Sequence, residues 1–400
     1  MTAPRLVIVA DDLTGAADSA GRAVQAGLDA VIYPAGGVNP TDDPTFARTV
    51  AISTDSRALS PEAAAARVAL AVAEAAGWGP AVWYKKIDST LRGHLGAELA
   101  ALVDTLGPAT RVAICPAFPA QGRGLEDGYL VYTGVAPRSL YLPSRLAEQT
   151  NLPTAAIPLA VVRRGVDGLA AVLSATNEAQ LLVIDGMTDD DLAIIVAAAR
   201  RLGLVLCGSA GMVAPLAATL SAGPGRTVHT THREGPLLTV VGSAGNVAQA
   251  QVRAVVEAGC MRARTAGPEW HGLDLLDAAS HPVGDWLLHL PAPEPGTPLE
   301  GPAARCEAAR LADLVAASVA RLEPSELILV GGDTATYVLR GLGIERLDVV
   351  AELLPGIPLT EGIDAAGGRR RIVLKPGSFG DEQVLVTLWR LLRVERREPV

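Results

Sequence analysis

The residues best equipped for chemistry stand where short apolar runs stop. The run Leu6 to Ala10 ends at Asp11 and Asp12, and Thr14, Gly15 and a series of small residues then open a helix. A second run, Thr49 to Ser53, gives way to Thr54-Asp55-Ser56-Arg57, and a third leads into Lys85-Lys86-Ile87-Asp88-Ser89-Thr90-Leu91-Arg92-Gly93-His94. Ligands of open α/β sheets bind beyond the carboxyl ends of strands, and carboxylates are costly to bury there without a purpose. If neighbouring strands bring the three ends to one rim, carboxylates that bind polyol hydroxyls or take a proton stand beside Arg and Lys that hold a carboxylate or phosphate. That mixture suits a small hydroxylated acid. Helix capping and ordinary surface ion pairs explain any one of these residues, but three coincident strand ends less well. His94 fits either a substrate contact or a structural place at a helix start.

The C-terminal half carries a different signal. Glycine turns follow apolar runs at Val240-Val241-Gly242-Ser243-Ala244-Gly245, Val330-Gly331-Gly332-Asp333-Thr334-Ala335 and Lys375-Pro376-Gly377-Ser378-Phe379-Gly380. Glycine lets backbone N–H groups approach phosphate oxygens, and the helix N-terminus that follows adds favourable partial charge. A single turn of this kind has a steric explanation, whereas three together predict a nucleotide cradle. No GxxxxGK[ST] stretch occurs, which excludes the P-loop class, and no GxGxxG follows the first strand, which argues against a dinucleotide dehydrogenase. His229 and His232 have metal-ligand spacing, but with no neighbouring Cys and only Glu234 nearby they read as solvated surface residues. The tetrapeptide GSAG recurs at Gly208 to Gly211 and Gly242 to Gly245, too short a match to establish a duplication.

These motifs need elements to hold them. The first half alternates β-branched runs with alanine-rich amphipathic stretches, which predicts a parallel sheet covered by helices. Strands are expected at Leu6 to Ala10, Thr49 to Ser53, Ala81 to Lys85, Arg111 to Cys115, Leu181 to Ile184 and Leu204 to Cys207, with helices over Gly15 to Ala26, Pro61 to Ala76, Gly93 to Leu106 and Asp189 to Leu202. Pro61 suits a first helical position capped by Ser60, and Gly77 and Gly203 suit helix exits. Ser221 to Pro236 has no apolar periodicity and marks a domain boundary. Beyond it the alternation resumes: Leu237 to Val241 and a helix to Ala258; Trp286 to Leu290; a helix from Ala303 to Leu322; Glu326 to Val330; Val349 to Leu353; Arg371 to Leu374 and a last helix. Pro291 to Pro302 reads as a proline-rich loop, either a flap or an insertion.

A chain of 400 residues exceeds one core of ordinary size, so two domains are expected, at 1–225 and 226–400. Apolar residues at 49% and charged ones at 19% fit a folded α/β protein. A net charge of −9 without a basic stripe argues against nucleic acid, although local basic pockets can still bind small anions. Cys115, Cys207, Cys260 and Cys306 form no paired motif, and the apolar run at the N-terminus is too short for a signal peptide, so a reducing cytoplasm is expected. The uncharged stretch Leu202 to Gly225 is broken by Gly, Ser and Pro and reads as a strand and a small-residue helix, with no membrane partner expected.

Taken together, ADDLTGAAD, STDSR, KKIDSTLRGHLGAE, PAFPAQGR, VVGSAG, GGDTA, LLPGIPL and LKPGSFG, in this order along nearly the whole chain, resemble the four-carbon acid sugar kinases. The resemblance implies two Rossmann-like α/β domains, an N-terminal one binding a sugar acid and a C-terminal one binding nucleotide, with an interdomain cleft. It implies ATP-dependent phosphorylation of the terminal hydroxyl of a tetronate such as 3-oxo-tetronate, threonate or erythronate. By motif, Asp11 or Asp12, Arg57 and the stretch Lys86-Ile87-Asp88-Ser89 match substrate-binding positions of the family, and Ser243, the turn Gly331-Gly332-Asp333-Thr334 and Gly377 match ATP-binding ones. After PAFPAQGR this chain departs from the family pattern across Gly124 to Ser144, which puts the identity of the acid in question.

The expected mechanism is positioning and charge neutralisation. Arg57 and Lys86 hold the carboxylate with Ser89 and Arg92 beside them, and an aspartate among Asp11, Asp12 and Asp88 orients the hydroxyl and takes its proton; Asp12 and Asp88 are the catalytic candidates. Mg2+ is expected with the ATP and would neutralise phosphate charge, with Asp333 contributing to it directly or indirectly, and no metal ligand is assigned. A homodimer is one expected assembly. Two rival readings remain: a magnesium-dependent phosphatase, against which the adjacent aspartates of DDLTG lack the D-x-D spacing, and a non-catalytic sugar-acid sensor.

Overall fold

The computed structural model describes residues 5–34, 47–79, 81–134, 140–221, 233–267, 284–292 and 301–393. The chain divides into two compact units, Met1–Arg226 and Thr227–Val400. His229 and His232 lie outside the described residues, as do most of the expected boundary and residues 293–300 of the expected proline-rich loop.

In the first unit the strands are β1 (Arg5–Ala10), β2 (Ala30–Tyr33), β3 (Thr49–Ser53), β4 (Ala81–Lys86), β5 (Val112–Cys115), β6 (Arg123–Glu126), β7 (Tyr129–Tyr132), β8 (Thr154–Ile157), β9 (Leu181–Ile184) and β10 (Val205–Gly208). Eight of them pair in the order β2-β3-β1-β4-β10-β5-β9-β8, every pair parallel. Parallel strands covered by helices on both faces are buried throughout, which is why Leu6 to Ala10 and Thr49 to Ser53 read as continuous runs rather than alternations. Helix signals work as the residues suggest. Ser60 accepts from Ala63 N with Pro61 in the first turn of helix Pro61–Ala76, and Thr188 and Asp191 form a reciprocal capping box on helix Asp189–Arg201. Gly203 takes the left-handed conformation just past that helix.

The second unit contains β11 (Leu237–Val241), β12 (Arg262–Thr265), β13 (Trp286–His289), β14 (Glu326–Val330), β15 (Ile344–Leu354), β16 (Ile357–Asp364) and β17 (Arg369–Lys375), in the order β12-β13-β11-β14-β17-β16-β15. The first five in that order pair parallel, but β15, β16 and β17 are antiparallel neighbours, so a purely parallel sheet is not what forms. Loop length decides this. Pro355-Gly356, with Gly356 at φ 74°, and the turn 365–368, tied by Ala366 and Gly368 N–H groups to Asp364 Oδ1, are too short for a parallel crossover. In the first unit, β6 and β7 form a separate antiparallel hairpin for the same reason. The sequence pattern predicts no strand at β2, β6, β7, β8, β12 or β16, most of which are four residues long and lack a period that can be detected. Among the described residues no helix is long and apolar enough to cross a membrane.

Lys85 departs from its expected place on the charged rim. Successive strand residues face opposite sides of a sheet, so Lys85 and Lys86 diverge. Lys85 is fully buried, 2.7 Å from Glu98 of helix Leu95–Leu106, and Glu98 also accepts from Ser56 Oγ at 2.6 Å. Burial alone would lower the Lys85 ammonium, but the Glu98 charge and hydrogen bond together with the Asp11 charge outweigh it and hold the ammonium above its usual range. This pair is structural. Glu98→Ala leaves an uncompensated buried charge and is expected to cost about 3–5 kcal/mol in urea unfolding, whereas a Lys85→Met, Glu98→Leu double variant is expected to recover most of that loss; equal destabilisation in both would contradict the assignment.

Candidate functional site

Three strands of the N-terminal unit end side by side. Ala10 is in register with Ser53 of β3 and with Lys86 of β4, so the chain leaves the sheet at one level at Asp11, Thr54 and Ile87. The winding of the sheet also reverses beside β1, the place where ligands of such sheets bind.

Arg57 gathers the charges there. Its Nε donates to Asp11 Oδ2 at 2.7 Å and its Nη1 to Asp12 Oδ2 at 2.8 Å, while Nη2 lies 4.0 Å from Asp88 Oδ1. Arg92 grips Asp88 with Nε at 2.9 Å and Nη2 at 3.1 Å. Asp12 is at the same time the cap of helix Leu13–Gln25, accepting from Gly15 N at 2.8 Å and from Thr14 Oγ1 at 2.6 Å. A Cβ on Gly15 would stand 2.7 Å from Asp12 Oδ1 and 2.9 Å from Lys86 Nζ, so that glycine is what lets the aspartate and the lysine close in. Asp11, Asp12, Arg57, Asp88 and Arg92 thus form one network with Lys86 against it.

The network sets its own ionisation. Burial would raise the Asp88 carboxyl, but the Arg92 hydrogen bond, the Arg57 and Arg92 charges and the Thr90 hydroxyl outweigh burial and hold it well below the usual carboxylate range. Asp12 is likewise lowered against its burial, by Arg57, Lys86, Thr14 and Gly15. Arg57, although desolvated, is held well above its ordinary value by Asp11, Asp12 and Asp88. The rim therefore keeps anions and cations together at neutral pH, as a surface that recognises hydroxyls and an acid group must.

Ser89 is reached by a residue to which the sequence pattern assigns no role. Arg123, from PAFPAQGR, donates from Nη1 to Ser89 Oγ at 2.5 Å and to Gln121 Oε1 at 2.8 Å. Gly122, at φ 65°, turns the chain so that Phe118 and Arg123 exchange backbone hydrogen bonds. The only signal for it in the sequence is a lone arginine after a turn glycine. His94 takes the structural alternative: it stands at the start of helix Leu95–Leu106 with Nε2 2.6 Å from Leu59 O.

In the second unit the three glycine turns converge on Ser243. A Cβ on Gly377 would fall 2.2 Å from Ser243 Oγ, one on Gly331 3.4 Å from Ser243 Cβ, and one on Gly242 2.0 Å from Thr334 Oγ1. Gly331 N–H donates to Lys375 O at 2.9 Å and adopts φ 107°, a conformation for glycine. Helices Asn246–Ala258 and Gly332–Gly341 both begin at this cluster, with Asp333 exposed in the first turn of the latter. Backbone approach without side chains and two helix N-termini fit phosphate oxygens. The other GSAG stretch differs: Ser209 is buried and donates to Ala117 O at 2.6 Å, so it is a packed turn. Among the described residues no group of three or more His, Cys, Asp or Glu is placed to hold a metal. This is compatible with Mg2+, which keeps several waters and binds through phosphates and one or two carboxylates.

Comparison with known proteins agrees with this division of labour. Residues 6–216 match a sugar-binding N-terminal domain and residues 295–385 a nucleotide-binding C-terminal domain. The chain is 34% identical to a D-threonate kinase of Bordetella bronchiseptica, covering 99% of both chains, and 29% identical to a D-erythronate kinase of Heliobacterium modesticaldum, covering 96% of this chain and 95% of that one. It is 28% identical to a 3-oxo-tetronate kinase of Burkholderia multivorans over 94% and 95% of the two chains. Solved structures from Salmonella typhimurium and Haemophilus influenzae, each 22% identical, share the fold with TM-scores of 0.79 and 0.70; they cover 98% and 94% of this chain and 100% and 97% of their own.

Beside the cradle, Lys375 is fully buried, donates to Pro376 O at 2.9 Å, and has no acidic partner among the described residues. Burial pushes its ammonium down to about 7. Between about pH 7 and the ordinary lysine range the unfolded chain holds a proton that the folded chain does not, so this group makes stability rise with pH across that window. Lys375→Met is expected to flatten the stability–pH slope there by up to about 1.4 kcal/mol per pH unit. Urea midpoints of wild type and variant at pH 7, 8 and 9 measure it, and parallel slopes would show a normally charged lysine.

Proposed function

Since this chain belongs to the four-carbon acid sugar kinases, we propose that it transfers the γ-phosphate of ATP to the terminal hydroxyl of a tetronate, with D-threonate the first substrate to test and erythronate and 3-oxo-tetronate next. Its kinase activity on four-carbon sugar acids follows from that membership; the choice of acid rests on D-threonate kinases being its relatives at 34% and 32% identity. The domain boundary is placed at 225/226. The N-terminal domain holds the acid through Asp11, Arg57, Lys86, Ser89 and Arg92, and the C-terminal domain holds ATP through Ser243, Gly331, Gly332, Asp333, Thr334 and Gly377. A nucleotide-consuming reaction and four free cysteines fit a cytoplasmic setting.

The observation that carries this reading is the Arg57 network, which joins carboxylates from the ends of β1 and β4 through an arginine that follows β3. Asp12 and Asp88 are held ionised there, ready to accept a hydrogen bond from the attacking hydroxyl. They are weak bases for the same reason. That suffices for phosphoryl transfer, whose loose transition state demands alignment of the nucleophile and neutralisation of charge more than early proton removal. The glycine turns supply N–H donors for the phosphates, and bound Mg2+, with Asp333 the acidic side chain at hand, supplies further neutralisation of charge on the transferred group.

An ATP-consumption assay over tetronates, pentonates and their oxo forms identifies the acid. On that acid, Asp12→Ala and Asp88→Ala are each expected to lower kcat by about 10²–10⁴-fold while ATP binding persists. Near-normal turnover by both folded variants would remove these aspartates from the chemistry, and rapid phosphate release from phosphorylated tetronates without ATP would favour a phosphatase.

A further inference from the structure

We propose that Arg123 holds the carboxylate of the sugar acid, and that the hairpin carrying it distinguishes an acid from a neutral polyol; this rests on the tetronate reading of the N-terminal unit. The other cations of the rim are already engaged. Arg57 is shared by Asp11, Asp12 and Asp88; Arg92 holds Asp88 through two nitrogens; Lys86 faces Asp12 and donates to Ile87 O. Close by, Asp18 with Arg22 and Lys85 with Glu98 are paired with each other. Within the network three carboxylates face Arg57, Arg92 and Lys86, so none of these cations is left over for an anion.

Arg123 differs from every other cation at the rim. Its partners, Ser89 Oγ and Gln121 Oε1, are neutral, and both are reached from Nη1. Among the described residues Nε and Nη2 donate to nothing, and these two form the edge of a guanidinium that grips a carboxylate with two parallel bonds. The residue is half-buried, so a ligand can reach it. Arg123 adds a cation whose hydrogen-bond partners are both neutral, as a monocarboxylate ligand requires.

The guanidinium is also well anchored. Phe118 and Arg123 exchange backbone hydrogen bonds at 2.8 and 3.1 Å, and Leu125 and Gly186 do the same at 2.8 and 2.9 Å. Asp185, at the end of β9, accepts from Asp127 N at 2.7 Å and Gly128 N at 2.9 Å, fixing the hairpin turn. A binding group on a hairpin tied at both ends loses little entropy on meeting its ligand. The Ser89 bond then aims Arg123 at the rim, adding a positioning role to the contact with the acid proposed for Ser89.

The test compares a charged with an uncharged ligand. Kinetics with D-threonate and competition by its neutral amide are measured for wild type, Arg123→Gln and Arg123→Lys. Arg123→Gln, whose amide can replace at most one of the two bonds, is expected to raise KM for threonate by about 10- to 100-fold, with KM for ATP and Ki for the amide unchanged. Arg123→Lys restores the charge and is expected to recover part of the threonate KM. An unchanged threonate KM in Arg123→Gln, or equal losses for acid and amide, overturns the proposal. Failure of the wild type to phosphorylate any tetronate overturns instead the substrate reading beneath it.

Discussion

One guanidinium shared among three carboxylates is the constraint on which the N-terminal unit depends. Asp11, Asp12 and Asp88 leave adjacent parallel strands, and without a cation between them their mutual repulsion would push at least one toward protonation. Arginine can serve all three because its donors are spread over a rigid plane; the single ammonium of a lysine could not. Asp12 adds a second duty by capping a helix, so the charge network and the helix start hold each other in place.

The two units meet their ligand problems by opposite means. A small hydroxylated acid has few atoms and needs directional side chains, and the first unit crowds its strand ends with Asp, Arg, Lys and Ser. Phosphate oxygens are many and diffuse in charge, and the glycine turns of the second unit leave backbone N–H groups uncovered by side chains, the kind of surface such oxygens accept. The buried lysines show the contrast. Lys85 is balanced by Glu98 and serves the core, while Lys375 stands at the cradle with its charge uncompensated among the described residues.

Much of this was legible in the residues. The strand ends at Asp11, Arg57 and Asp88 and the turns at Ser243, Gly331 and Gly377 carry signals in composition and spacing alone, and the helix at Pro61 announces itself by its Ser60 cap. The antiparallel β15-β16-β17 ladder was half legible, since Pro355-Gly356 is a turn signal that the run of alternation obscured. Four-residue strands such as β2 and β8 were not, because so short a run gives no period to read.

What the sequence determined by itself was the inventory: which chemical groups stand at which turns, and that one half favours an acid and the other a phosphate. Which of those groups are free to bind was decided only in three dimensions. Lys85 and Lys86 are neighbours in the chain, yet strand alternation sends the first into the core and leaves the second at the rim. Arg57 meets Asp11 across 46 residues and Arg123 meets Ser89 across 34, through strand register and a hairpin that no local pattern encodes. Charge is read from composition, but whether a charge already has a partner depends on distances that only packing sets.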